Sequence, residues 1–145
     1  MTSDFAIAVH ALVLLNHRQE TLQSEQIADN VCTHPVRVRR VMARLRRAGL
    51  VDTKEGANGG YLFLGDPGKL SLQRVAEALK EKPVDVKYRT GDIDMVCAVA
   101  SGMAEVMDGI YGRMNQACAA CLSTITIDSI DQVLFERGNK ENGKI

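Results

Sequence analysis

Six arginines and a lysine form the densest cluster of chemically active side chains in the sequence. Between Arg37 and Lys54 the chain places Arg37, Arg39, Arg40, Arg44, Arg46, Arg47 and Lys54 against one acid, Asp52. Seven of the 18 basic residues therefore fall in a window of 18, a local excess of +6 in a chain whose formal net charge is zero. The remainder is acidic by the same amount, so the electrostatic footprint belongs to one element. Guanidiniums this close repel one another unless a polyanion lies opposite. Duplex DNA offers phosphates for the charge and guanine O6/N7 for bidentate contacts worth about 1–3 kcal/mol of discrimination each. A solvated basic face, or a dock for an acidic protein, is the plainer reading, and the element that carries the cluster decides between them.

The other reactive side chains are Cys32, Cys97, Cys118 and Cys121. Cys118-Ala-Ala-Cys121 on a helix puts two sulfurs near one face, but zinc needs two further ligands. His10, His17 and His34 are scattered along the sequence, so no metal site is expected, and the pair reads as small apolar packing residues. A thioredoxin-like site would need a βαβ unit, which the pattern lacks. Cys97 differs because it precedes a long helix whose dipole lowers a thiol pKa, making it the redox-sensing candidate. No paired carboxylates, nucleophile constellation or phosphate loop is present, and no catalytic residue is assigned. The chain is expected not to be an enzyme.

The elements that must position these groups follow from periodicity. Phe5, Ile7, Ala8, Ala11, Leu12, Leu14 and Leu15 are too densely apolar for a surface helix and predict a buried one ending near residues 16–18. Ser24 is expected to cap a short second helix with Ile27, Ala28 and Val31 inward. Pro35 opens a third, in which Val38, Val41, Met42 and Leu45 recur at i, i+3, i+4 and i+7 before Gly49 stops it. Arg37, Arg40, Arg44 and Arg47 then fall on one outward stripe, flanked by Arg39 and Arg46. Leu50, Val51 and Thr53 predict a strand, Tyr61–Leu64 a second, and the glycine-rich run 54–60 a hairpin tip between them. Ser71 caps a further helix. Residues 94–122 carry apolar side chains at three- and four-residue steps, and a last amphipathic helix covers 127–135.

Two short helices joined by a tight turn, the second basic, followed by a hairpin, make a winged helix-turn-helix. On that reading Val36, Arg37 and Arg40 lie nearest base edges, while Arg44, Arg46 and Arg47 suit phosphate. Ser24, Pro35 and Arg39 complete the helical part of the expected DNA surface. Lys54, Asn58, Gly59, Gly60 and Tyr61 form its wing, where glycines let backbone approach a groove.

Three runs carry a family resemblance: Leu45-Arg46-Arg47-Ala48-Gly49-Leu50-Val51, Gly56-Ala57-Asn58-Gly59-Gly60-Tyr61, and Leu70-Ser71-Leu72. Together they resemble the Rrf-two family of bacterial winged-helix regulators, from the first helix to about Phe135. The resemblance implies a homodimer on double-stranded DNA whose long C-terminal helix crosses its partner's. Cluster-binding members place three cysteines about six residues apart before that helix. This chain has only Cys97 there, so an iron–sulfur cluster is not expected, and the chain is similar to the cluster-free subgroup that includes the cysteine-metabolism repressor.

The expected class is mainly α, with a winged-helix domain over 1–81, a linker over 82–93, dimerisation helices over 94–135 and a disordered tail over 136–145. The expected function is a dimeric transcription regulator, a repressor responsive to thiol oxidation or nitrosative stress through Cys97. A cluster-dependent regulator and a winged-helix protein-interaction module are the alternatives. The apolar run 5–15 is too short to span a bilayer, which needs about 20 residues, and no basic n-region precedes it. A cytoplasmic protein without membrane contact is expected.

Overall fold

A computed structural model describes the backbone of residues 1–142 and the side chains through residue 136. Helix α1 (Ser3–Arg18) is followed by α2 (Ser24–Val31) and α3 (Pro35–Arg47), then strands β1 (Val51–Lys54) and β2 (Gly60–Phe63), and helices α4 (Leu72–Ala78), α5 (Ala98–Ser123) and α6 (Ile127–Asn142). The order is helix-turn-helix followed by a two-stranded antiparallel wing, with Val51 opposite Phe63 and Lys54 opposite Gly60. The mainly helical winged fold expected from the sequence is the fold found.

One apolar core holds these elements. Ala8, Ala11 and Leu12 of α1, Ile27 of α2, and Val38, Val41, Met42 and Leu45 of α3 have almost no exposed surface. The i, i+3, i+4, i+7 repeat of α3 therefore faces inward, which forces its arginines outward. Burial of each such side chain is worth about 1.5–3 kcal/mol, so the packing fixes the roll of α3. Ile127, at the start of α6, is also fully buried in this core. Leu72 N–H donates to the Ile125 carbonyl (2.8 Å), and Ile127 N–H donates to the Leu70 carbonyl (3.0 Å). The last helix is thereby tied to the winged-helix unit, and the Phe135 ring stacks on His17 of α1 at 4.0 Å between centroids.

Several local expectations shift. The N-cap of α2 is Gln23, one residue before Ser24, and Gln26 Oε1 accepts from Gln23 N–H at 2.8 Å. Helix α3 is capped by His34, whose Nδ1 accepts from Val36 N–H at 3.2 Å. Helix α6 continues to Asn142, past the point where a tail was expected to begin; residues 143–145 lie outside the described residues. The 82–93 segment has no regular secondary structure but is not detached. It runs back along α5: Asn115 exchanges two hydrogen bonds of 2.9 Å with the Val84 backbone, Arg89 pairs with Asp108, and Asp92 N–H donates to the Ala100 carbonyl at 3.1 Å.

Helix α5 buries no residue. Its half-buried face, including Met107, Tyr111, Asn115 and Leu122, leans on the returning segment and α4. The other face carries Val99, Met103, Val106, Ile110 and Met114 exposed to solvent. Among the described residues no helix is long and apolar enough to cross a membrane.

Candidate nucleic-acid interface

With Val38, Val41, Met42 and Leu45 turned inward, the direction facing solvent is set by helical geometry at 100° per residue. Val36, Arg40, Ala43 and Arg47 lie along the centre of that face and are all exposed. Arg39 and Arg46 flank it on one side, Arg37 and Arg44 on the other. The expected stripe of Arg37, Arg40, Arg44 and Arg47 is thus rotated: Arg37 and Arg44 sit half-buried on the edge that meets α1.

Asp4, in the first turn of α1, lies against that edge. It is buried at 9% exposure and faces three arginines of α3. Arg37 Nε donates to Asp4 Oδ1 at 3.0 Å, Arg40 Nη2 donates to Oδ2 at 3.3 Å, and Arg44 Nη1 stands 4.0 Å from Oδ2. Arg37 also donates to the Ser3 hydroxyl. On the opposite flank Arg39 Nη1 donates to Ser24 Oγ at 3.1 Å and Glu25 Oε1 at 3.2 Å. The Glu25 carboxyl is held below its ordinary pKa by its own backbone amide first, then by the Ser24 hydroxyl and Arg39. Ser24 is itself buried, so its hydroxyl positions Arg39 from behind. Arg46 and Arg47 have no acidic partner among the described residues. With Ala43 they line a surface groove closed on its far side by Thr53 and Tyr61 of the wing.

Pro35 occupies the first turn of α3, where its missing N–H costs nothing, and presents Val36 at 57% exposure. Lys54 and Asn58 are exposed on the wing. The wing glycines have a structural duty. Tyr61 N–H donates to the Leu22 carbonyl at 2.7 Å and Leu22 N–H donates back at 2.9 Å, which draws the α1–α2 loop against β2. Gly60, at φ +143°, comes so close that a Cβ would stand 2.3 Å from the Leu22 carbonyl oxygen, and a Cβ at Gly59 would meet the Lys54 carbonyl oxygen at 2.3 Å. Gly59 is buried. The Gly-Gly-Tyr run therefore anchors the wing to the helix-turn-helix and aims its tip.

Two participants carried no sequence signal. Asp4 reads in sequence as an ordinary acid complementing a helix N-terminus. Arg74 is a single basic residue in a short helix, yet its Nη2 donates to the Ala48 carbonyl at 3.1 Å. With Arg44, Arg47 and Lys80 it lines a groove beside the end of α3, extending the basic surface onto α4.

Cys97 is the exposed N-cap of α5. The backbone N–H groups of Ala100, then Val99, hold its thiol below the ordinary pKa. Cys118 is half-buried on the inner face of α5, and Cys121 is exposed.

A family model described as "Rrf2: Iron-dependent Transcriptional regulator" matches residues 1–132. The HTH-type transcriptional regulator YwnA of Bacillus subtilis strain 168 is 37% identical over 135 residues, covering 93% of this chain and 99% of that protein. A transcriptional regulator from Lactobacillus plantarum superposes with a TM-score of 0.80 at 22% identity, covering 99% of this chain and 97% of its own. CymR, the global cysteine regulator of Bacillus subtilis, superposes with a TM-score of 0.68 at 18% identity over 92% of this chain and 96% of its own.

The iron named in the family's description finds no three-cysteine site among the described residues. Cys97 and Cys118 stand at opposite ends of α5, about 30 Å apart at 1.5 Å rise per residue. Among the described residues no three Cys, His, Asp or Glu side chains gather where they could hold a metal ion. One protomer's side chains do not fit a three-cysteine ligand set. What does agree with the family is the whole helix-turn-helix and wing, with its basic third helix and glycine-bound hairpin: the chain belongs to the Rrf2 family and is a DNA-binding transcriptional regulator, not an enzyme.

Proposed function

We propose that the chain acts as a homodimeric repressor whose two α3 helices read the half-sites of a pseudo-palindromic operator, and that it does so without an iron–sulfur cluster. The observation that carries the dimer is α5. A helix of 26 residues with no buried residue receives little of the apolar packing that stabilises most helices from its own protomer. Its exposed apolar residues follow an 11-residue repeat: Val99, Met103 and Val106 recur as Ile110, Met114 and Ala117, and Cys121 begins the next repeat. Eleven residues in three turns give 3.67 per turn, close to an unstrained helix, so two such helices can pack side by side with little supercoiling. The groove between α1 and α6, about 500 Å³ and lined by apolar side chains including Phe5, Val9, Leu134 and Phe135, adds to the surface a partner would cover. A contiguous exposed apolar face of this kind marks an interaction surface.

Light scattering on the wild type and on Val106→Glu tests this. A dimer that becomes monomeric and loses operator binding supports the reading, and a wild-type monomer with full operator affinity contradicts it. Repression itself is read by in vitro transcription from a promoter carrying the selected operator.

The exposed Cys97 thiol favours a second element of the reading: its oxidation or nitrosation alters the geometry with which the dimer meets DNA. Mobility shifts with peroxide and nitric oxide donors on wild type and Cys97→Ser test it, and equal affinities throughout reject it. The cluster-free reading rests on the spacing of Cys97, Cys118 and Cys121. Absorbance near 400 nm with stoichiometric iron and sulfide in anaerobically purified protein would reject that.

A further inference from the structure

We infer that Asp4 is a specificity-determining positioning residue, a buried counter-charge that holds Arg37 and Arg40 in place and cancels one positive charge of the recognition helix. This rests on the reading that α3 meets DNA. The side chain of Asp4 is 12% exposed while those of Arg37, Arg40 and Arg44 are 38%, 61% and 40% exposed. The carboxylate thus lies behind the arginines, and a DNA phosphate can approach them without displacing it. Arg37 spends Nε on Asp4 and Nη2 on Ser3, leaving Nη1. Arg40 spends Nη2 on Asp4 and keeps Nε and Nη1 for a ligand. Each guanidinium is a planar fork, so fixing one edge fixes the direction of the other.

The main chain behind this carboxylate is itself anchored. Asp4 N–H donates to Thr2 Oγ1 at 3.3 Å, and Thr2 N–H donates to Glu81 Oε2 at 3.0 Å beyond the end of α4. The guanidiniums are therefore referenced to two helices of the core as well as to their own.

Two consequences separate this role from plain structural support. Non-specific binding scales with the net positive charge brought to the phosphates, and each phosphate neutralised adds about 0.9 to the slope of log affinity against log salt. Specific binding gains from side chains already ordered in the free protein. Asp4 lowers the first and raises the second, widening the ratio between them.

The test uses the full chain and the Asp4→Asn variant, which keeps the size of the side chain and removes its charge. Affinity is measured by fluorescence anisotropy for a selected operator and for random-sequence duplex across a salt series. The expected result is a salt slope steeper by about 0.9, binding to random duplex strengthened about threefold, and an operator-to-random ratio reduced about tenfold; the last two are order-of-magnitude expectations from one charge and two ordered side chains. A folded variant with unchanged slope and ratio overturns the assignment. Arg47→Gln separates this from failure of the underlying reading. It lowers the slope if α3 touches phosphate whatever Asp4 does, and a slope unmoved by it removes α3, and this proposal, together. Should Asp4→Asn not fold, the wild type decides through the Nε–H resonance of Arg37. A slowly exchanging signal that persists when operator saturates the protein supports the assignment, and its loss on binding overturns it.

Discussion

Arg37 Nε lies 3.0 Å from Asp4 Oδ1, joining the recognition helix to the first turn of α1 on the edge where base contacts were expected. The contact sorts the arginines of α3 into two groups. Arg37, Arg40 and Arg44 share a buried carboxylate, and Arg39 is tied to Ser24 and Glu25. Arg46 and Arg47 face the groove below the wing with no acidic partner among the described residues. A cluster that repels itself in sequence is thus partly neutralised in the fold, and the uncompensated charge is concentrated at the C-terminal end of the helix, where its dipole is favourable.

This division predicts unequal effects on DNA binding. Arg47→Gln removes an uncompensated charge, and the salt slope should fall by about 0.9 for operator and random duplex alike. Arg40→Gln should instead narrow the operator-to-random ratio, because Arg40 lies at the centre of the exposed face and is held in a fixed direction. Paired anisotropy titrations across a salt series distinguish the two patterns.

The wing predicts a contrast between two glycines. Gly60→Ala places a Cβ 2.3 Å from the Leu22 carbonyl oxygen, whereas Gly56→Ala, also at positive φ, meets nothing within 4 Å. Both pay backbone strain of about 1–3 kcal/mol. Gly60→Ala must in addition disturb the Leu22–Tyr61 pair, so it should be the more destabilising by at least about 1 kcal/mol. Urea denaturation of both variants checks this.

How legible these features were in the sequence depends on the range of the interactions behind them. The repeat of Val38, Val41, Met42 and Leu45 is local, and it predicted both the helix and the outward direction of the arginines to within one flank. The wing was legible for the same reason, since its glycines and Tyr61 sit in one short run. Asp4 was not, because 33 residues separate it from Arg37 and its role exists only after α1 packs on α3. In sequence Ile127 groups with the C-terminal helices because its chain neighbours are there, while its neighbours in space are the winged-helix core. The face of Gly60 toward Leu22 was hidden behind an ordinary turn signal: Asn-Gly predicts a hairpin whether or not a second backbone lies against it.

The placement of Ile127 yields a stability prediction. A fully buried isoleucine truncated to alanine costs about 2–5 kcal/mol. Ile127→Ala should therefore lower the unfolding midpoint of the winged-helix unit, read by hydrogen exchange at α1 and α3 amides. An effect confined to α5 and α6 would contradict the shared core.

For Cys97 the sign of the pH dependence is fixed by the lowered pKa of the folded state. The thiolate is favoured by folding, a contribution present above the ordinary thiol range and lost as pH falls through the lowered value. Alkylation of Cys97 by iodoacetamide should accordingly reach half its limiting rate at lower pH in the folded protein than in the urea-unfolded chain. Mass spectrometry of the modified peptide across a pH series measures both.

On the proposed function, two copies of this chain meet duplex DNA through α3 and the wing. Selection of bound sequences from a random duplex pool, followed by hydroxyl-radical footprinting at two salt concentrations, examines this arrangement. The expected result is a pseudo-palindrome with two protected regions on one face of the duplex, centred about 34–36 Å apart, weakening steeply as salt rises. A single unpaired protected region, or no enriched sequence at any salt, would contradict it.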